Sequence, residues 1–148
     1  MLKKKETMTT EELYLKYNNF DREFGLELKI DAPGIVRYRL EITEKHLSSP
    51  GVGHGASVAA IMDAILGTTA LSKVYDQGNL VSTVEFKLNY FKPIFKGDVL
   101  IATGNVDFEG KSLIVTTGSV IKEGTKELVS KGIGTFNIYP MSKRGLFI

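Results

Sequence analysis

The 148-residue chain contains no cysteine and no tryptophan, and only two histidines and four prolines. Without cysteine there is no disulfide framework, no thiolate nucleophile and no sulfur ligand for a metal, a composition that suits a cytoplasmic protein. With two histidines and no pair of carboxylates at ligand spacing on one helix face, neither a metal centre nor a cofactor is expected. Charge of one sign is also missing: 19 lysines and arginines against 17 acids leave a net charge of +2, which forces no basic face for nucleic acid. The longest apolar stretch, Ala56 to Leu66, holds Ser57 and Asp63 and falls short of a bilayer span, so no membrane partner is expected. Lys3, Lys4 and Lys5 carry the charge of a signal n-region, but the following "ETMTTEELY" supplies no apolar core for one and reads as the end of a solvated tail.

What is present is ordinary for one globular domain: 43% apolar and 24% charged residues. Thr9 and Glu12 have the spacing of a capping box, and Leu13, Tyr17 and Phe20 follow at helical intervals, predicting a short amphipathic helix over about residues 10 to 22. From Gly25 the period shortens to two in "LELKI" and "IVRYRLEI", with Pro33-Gly34 as the turn between two strands. In "LVSTVEFKLNYF" alternation puts Leu80, Ser82, Val84, Phe86, Leu88 and Tyr90 on one face and Thr83, Glu85, Lys87 and Asn89 on the other. Three further strands follow, with hairpin turns at Glu109-Gly110 and Glu123-Gly124. Residues 1–24 read as a tail and short helix, 25–140 as the folded domain and 141–148 as a tail without clear period.

The long run between these strands decides the architecture. Residues 55 to 75 form a helix about 30 Å long with apolar side chains around nearly its whole circumference, which must be wrapped. A curved antiparallel sheet around that helix, with a second copy completing the enclosure, gives an α+β fold. Asp63 stands alone in this run, and counting from it in steps of three and four reaches Ala56, Ala59, Ala60, Gly67 and Ala70. This small-residue stripe leaves room beside a carboxylate for a ligand, or simply for a neighbouring strand. His54 is the obvious acid–base partner, but nine residues of helix separate the two by about 13.5 Å and turn them to opposite sides. Within one chain His54 is therefore expected to cap the turn, and His46 to lie on the surface. The glycines of "GVGHGA" bring backbone close to a ligand, and the Gly55 N–H at the positive helix end can receive a developing oxyanion.

"HGASVAAIMDAILG", "STVEFKLNYFKPIFKGDVLIATGNVDFEGK" and "SKGIGTF" together resemble the hotdog-fold acyl-CoA thioesterases of the phenylacetyl-CoA thioesterase type, from about Ile30 to Phe136. The resemblance implies a homodimer or dimer of dimers with active sites shared between subunits and an acyl-CoA substrate. The acid matching Asp63 would be general base or nucleophile, and the N–H matching Gly55 of the opposite subunit would polarise the thioester carbonyl. The hydroxyl matching Thr83 would position water or assist the acid. His54 and Ala56 fall at the substrate-contacting turn. Where many members carry an amide six residues before the histidine, this chain has Ser48, shorter and with different donor and acceptor capacity. Lys87, Lys92, Lys96 and Lys111 are candidates for CoA phosphates or plain solvated lysines. The expected reaction is hydrolysis of an acyl-CoA thioester. A hotdog dehydratase or hydratase would need His54 and Asp63 to converge on one substrate carbon, and a non-catalytic acyl-CoA sensor would usually lack the acid.

Overall fold

The long apolar run folds as predicted into one helix, α3 (Gly55–Val74), in a computed structural model that describes residues 8–144. The lysine run at 3–5 and the end of the C-terminal tail lie outside the described residues. Around α3 curve six antiparallel strands: β1 (Glu27–Ala32), β2 (Ile35–Glu41), β5 (Asn79–Tyr90), β6 (Val99–Glu109), β7 (Leu113–Lys122) and β8 (Leu128–Pro140). Their spatial order is β1-β2-β6-β7-β8-β5, and a separate short hairpin, β3 (Leu47–Ser49) with β4 (Val52–Gly53), precedes the helix. By length and composition alone the helix passes as a membrane-spanning segment, contrary to the reading from the Ala56–Leu66 stretch. Its apolar surface is instead covered by sheet. Ile61, Met62, Ile65 and Leu66 are fully buried against Tyr38, Leu40, Leu100, Ile114 and Phe136.

The helix seats closely because the sheet is hollowed beneath it. Gly104, Gly118 and Gly132 pair directly across β6, β7 and β8. A Cβ on Gly104 would lie 2.2 Å from Thr69 Oγ1, one on Gly118 3.2 Å from Ile65, and one on Gly132 2.7 Å from Met62 Sδ. This glycine furrow receives one side of α3. The opposite side stays open: Gly55, Ala56 and Asp63 are exposed and Ala59, Ala60, Ala64 and Gly67 only half-buried in the protomer.

Three sequence expectations are corrected. The N-terminal helix is two helices, α1 (Thr10–Tyr17) and α2 (Asn19–Phe24). Asn18 closes the first through its backbone and caps the second, its side chain accepting the Asp21 N–H at 3.0 Å. The break turns Tyr17 and Phe20 outward, 53% and 60% exposed. His46 is buried at 2% exposure: Nδ1 accepts the Thr43 N–H at 2.9 Å and Nε2 meets the Phe24 carbonyl at 2.7 Å. It ties α2 to the turn before α3, since its own carbonyl accepts from His54 N–H and Ser57 Oγ.

The third correction concerns β5. Pairing with β8 runs Val81↔Ile138 and Thr83↔Phe136, then shifts so that Glu85 faces Thr135 and Phe86 faces Gly134. Val84 is the extra residue of a β-bulge. Directly paired residues share a face, so Thr83 lies with Phe136, Phe86 and Leu88 on the helix side, not with Glu85 and Lys87.

Because the furrow has no slack at Gly104, Gly104→Ala should destabilise the fold by about 2 kcal/mol and lower Tm by roughly 4–8 °C at fixed protein concentration. Gly124→Ala, with nothing within 4 Å of the added methyl, serves as the matched control in the same thermal melts and should leave Tm nearly unchanged.

Candidate active site

Asp63 projects from the open face of α3 into a cleft of about 420 Å³. Ala60, Ala64 and Gly67 form its helix-side floor, Thr83 and Phe136 come from the sheet, and Phe20 and Asp21 from α2. Of the small-residue stripe, Ala60 and Gly67 line this space together with Ala64, which lay outside the stripe, whereas Ala56 and Ala59 do not line it and Ala70 is fully buried. The bulge brings Thr83 into it. Among the described residues the Asp63 carboxylate has no hydrogen-bond or ion-pair partner. Although open to solvent at the protomer surface, it is crowded enough by the cleft walls that burial raises its pKa above the ordinary value. An acid held above its usual range and free of scaffold contacts is available for proton transfer.

The N-terminal end of α3 has a different surrounding. His54 is the N-cap, with backbone φ −70° and ψ 138°, and its Nδ1 accepts the Ala56 N–H at 2.9 Å, which leaves the ring proton on Nε2. The Gly55 N–H has no partner among the described residues, so the positive helix end presents one free donor. Gly55 lies in a second cleft of about 280 Å³ with Gly53, Val58, Tyr90, Lys92 and Ile94. Eight residues of helix place it about 12 Å along the axis from Asp63. Thus Asp63 and Thr83 share one cleft, Gly55 opens on another, and His54 does not meet Asp63 within the protomer. Ser48 is exposed on β3 and lines neither cleft. Among the described residues no group of three His, Cys, Asp or Glu could hold a metal ion.

Against known protein families, residues 50–129 match the thioesterase superfamily. The chain belongs to that superfamily. Its curved antiparallel sheet around one central helix is the hotdog fold, and the family's chemistry is thioester hydrolysis. Human acyl-coenzyme A thioesterase 13 is 28% identical over 118 residues, 79% of this chain and 83% of the relative. The structure of conserved protein PA5202 from Pseudomonas aeruginosa superposes with TM-score 0.74 at 25% identity, covering 82% of this chain and 94% of that one. Thioesterase HI1161 from Haemophilus influenzae shares the fold at TM-score 0.80 and 19% identity, covering 93% and 94%.

Two residues of this thioesterase were missed in the sequence. Tyr90 read only as a strand position, yet its hydroxyl donates to the Gly55 carbonyl at 2.8 Å and its ring lies 3.6 Å from where a Gly55 Cβ would stand. With His54 on the Ala56 N–H, both ends of the peptide following Gly55 are held, which fixes the orientation of the first turn. Asp21 fell inside the predicted helix over residues 10 to 22 with no role assigned, and nothing local signals that it turns into the cleft.

Removing the Tyr90 hydroxyl should loosen the turn that carries the free N–H. For Tyr90→Phe we expect free-thiol release to fall about 3- to 10-fold in kcat, with KM changed less, the worth of about one net hydrogen bond.

Proposed function

We propose that this chain hydrolyses acyl-CoA thioesters, with Asp63 as the base and the Gly55 N–H as the oxyanion donor. The observation that carries the reading is the partnerless, raised-pKa carboxylate of Asp63 in a cleft beside Thr83, on a superfamily fold whose relatives include an acyl-coenzyme A thioesterase. Asp63 takes a proton from water as the water oxygen attacks the thioester carbonyl carbon. The carbonyl oxygen gathers charge against the Gly55 N–H. The tetrahedral intermediate then collapses, the carbon–sulfur bond breaks, and the CoA thiolate regains the proton from Asp63. Thr83 holds the attacking water. Direct attack by Asp63 through an anhydride is the alternative use of the same carboxylate, but a raised pKa suits proton abstraction at neutral pH.

The 12 Å between Asp63 and Gly55 is accommodated by a homodimer in which each site takes its acid from one subunit and its donor from the other. Two features support this. β5 is a 12-residue strand at the edge of the sheet, paired among the described residues with β8 alone, and long open edges are ordinarily paired or protected. The small-residue face of α3, bordering the same edge, is open in the protomer. Two copies joined along β5 cover both, and a further pairing of dimers is compatible with the remaining surface. The turns at Ser48 and Ala56 then border the substrate.

Asp63→Asn and Asp63→Ala should lower free-thiol release from acyl-CoA by about 10²- to 10⁴-fold. In the wild type kcat/KM should rise with pH as Asp63 ionises, with its acidic midpoint above the ordinary 3.8, and this limb should vanish in the Asn variant. Unchanged turnover in both variants would remove Asp63 from the mechanism.

The shared site has its own test. Gly55 is the first helical residue, where proline is tolerated, and His54 before it already has the extended backbone that proline demands. Gly55→Pro therefore deletes the N–H while keeping the helix, and should cut kcat by about 10²- to 10³-fold. Mixed and reassembled with Asp63→Asn, it should restore roughly a quarter of wild-type activity, because half the dimers are mixed and each has one intact site. No recovery, with mixed dimers demonstrated, would place both groups in one subunit's site.

A further inference from the structure

Thioester hydrolysis as described leaves one charged group of the cleft without a task. Asp21 lines the cleft from α2, together with Ala60, Ala64 and Gly67 of α3, and it is held there by buried scaffold. Its Oδ2 accepts the Tyr38 hydroxyl at 2.8 Å, and that hydroxyl lies 3.0 Å from Thr68 Oγ1. Tyr38 and Thr68 are fully buried, and the Tyr14 hydroxyl is hydrogen-bonded to the same Thr68. Each hydroxyl has one proton. With the Tyr38 proton directed to Asp21, Thr68 donates to Tyr38 and Tyr14 to Thr68, so three successive donors point toward one carboxylate and none toward the interior. The Asn18 side chain also bonds to the Asp21 carboxylate.

Among the described residues no lysine or arginine lines the cleft. The adjacent Arg22 turns away, donating to the Leu15 carbonyl at 2.8 Å and to the Asn19 side chain. The cleft therefore holds two carboxylates, Asp63 and Asp21, both anionic when ionised. Their proximity is felt: burial raises the Asp21 pKa, opposed by its bonds to Tyr38 and Asn18, and the Asp63 charge raises it further.

Resting on the acyl-CoA reading above, we infer that Asp21 sets charge selectivity in the acyl pocket, which admits acyl groups with an uncharged far end and rejects those ending in a carboxylate. The Tyr38 anchor matters because a mobile carboxylate would swing to solvent and let the charged tail in. The apolar parts of the wall, Phe20, Val81 and Phe136, offer a carboxylate tail no hydrogen bond in exchange for its water.

The test uses the full-length protein and two thioesters matched in chain length, hexanoyl-CoA and adipoyl-CoA, with free-thiol release as readout. The quantity is the ratio of their kcat/KM values within each protein, which cancels any loss of folded enzyme. The wild type should favour hexanoyl-CoA by about 100-fold or more, and Asp21→Asn, which keeps the acceptor for Tyr38, should narrow that ratio at least about tenfold. Asp21→Glu, which keeps the charge, should preserve the discrimination. A ratio within about twofold of wild type in Asp21→Asn would overturn the inference. If the wild type releases thiol from neither compound, it is the hydrolase reading that fails. The Kd values of the same two thioesters, measured by calorimetry in wild type and Asp21→Asn, then decide charge selection by the same tenfold narrowing.

Discussion

The close seating of one apolar helix in a glycine furrow governs this structure. Gly104, Gly118 and Gly132 remove side chains from three adjacent strands at one level, so that Ile65, Met62 and Thr69 reach the sheet backbone. Burial of this face supplies most of the driving force for wrapping the sheet. It also fixes rotation: with the bulky side chains directed into the furrow, the small residues and Asp63 necessarily face the other way. The acid is exposed because the rest of the helix is so well accommodated.

From that rotation the two ends of α3 acquire different chemistry. Its first turn is locked by His54 on one side and Tyr90 on the other, a rigid frame for a single unpaired donor. Two turns later the carboxylate emerges among alanines and glycine. Around it the walls come from far apart in the chain: α2 is held by His46 and Tyr38, and β5 turns Thr83 inward through the bulge at Val84. Asp63 remains the least constrained polar group in this arrangement, while the groups beside it are positioned by buried contacts.

Much of the fold was legible because its signals are local. The apolar run of α3, the alternating strands and the turn at Gly34, with φ +79°, all follow from neighbouring residues. The small-residue stripe likewise announced space beside Asp63. What escaped detection depends on contacts between distant segments. Around residues 80–84 both alternating sets carry apolar side chains, Leu80 and Val84 in one and Val81 in the other, so periodicity gives no sign of a phase change. His46 gains a core position only through Thr43 and Phe24, and Asp21 enters the site only because Asn18 breaks the helix and Tyr38 reaches across from β2. A polar residue fully engaged in the interior and one solvated outside have the same letter.

The bulge also bears on how this strand can vary over evolutionary time. Val84 is 59% exposed and is the supernumerary member of its pair, so a lineage could drop or regain one residue there without turning Phe86, Leu88 or Thr83 to the other surface. Insertions elsewhere in β5 would invert half the strand. Length change at this point is therefore nearly silent, and homologous hydroxyls should be matched by their partner on β8 rather than by counting from the helix.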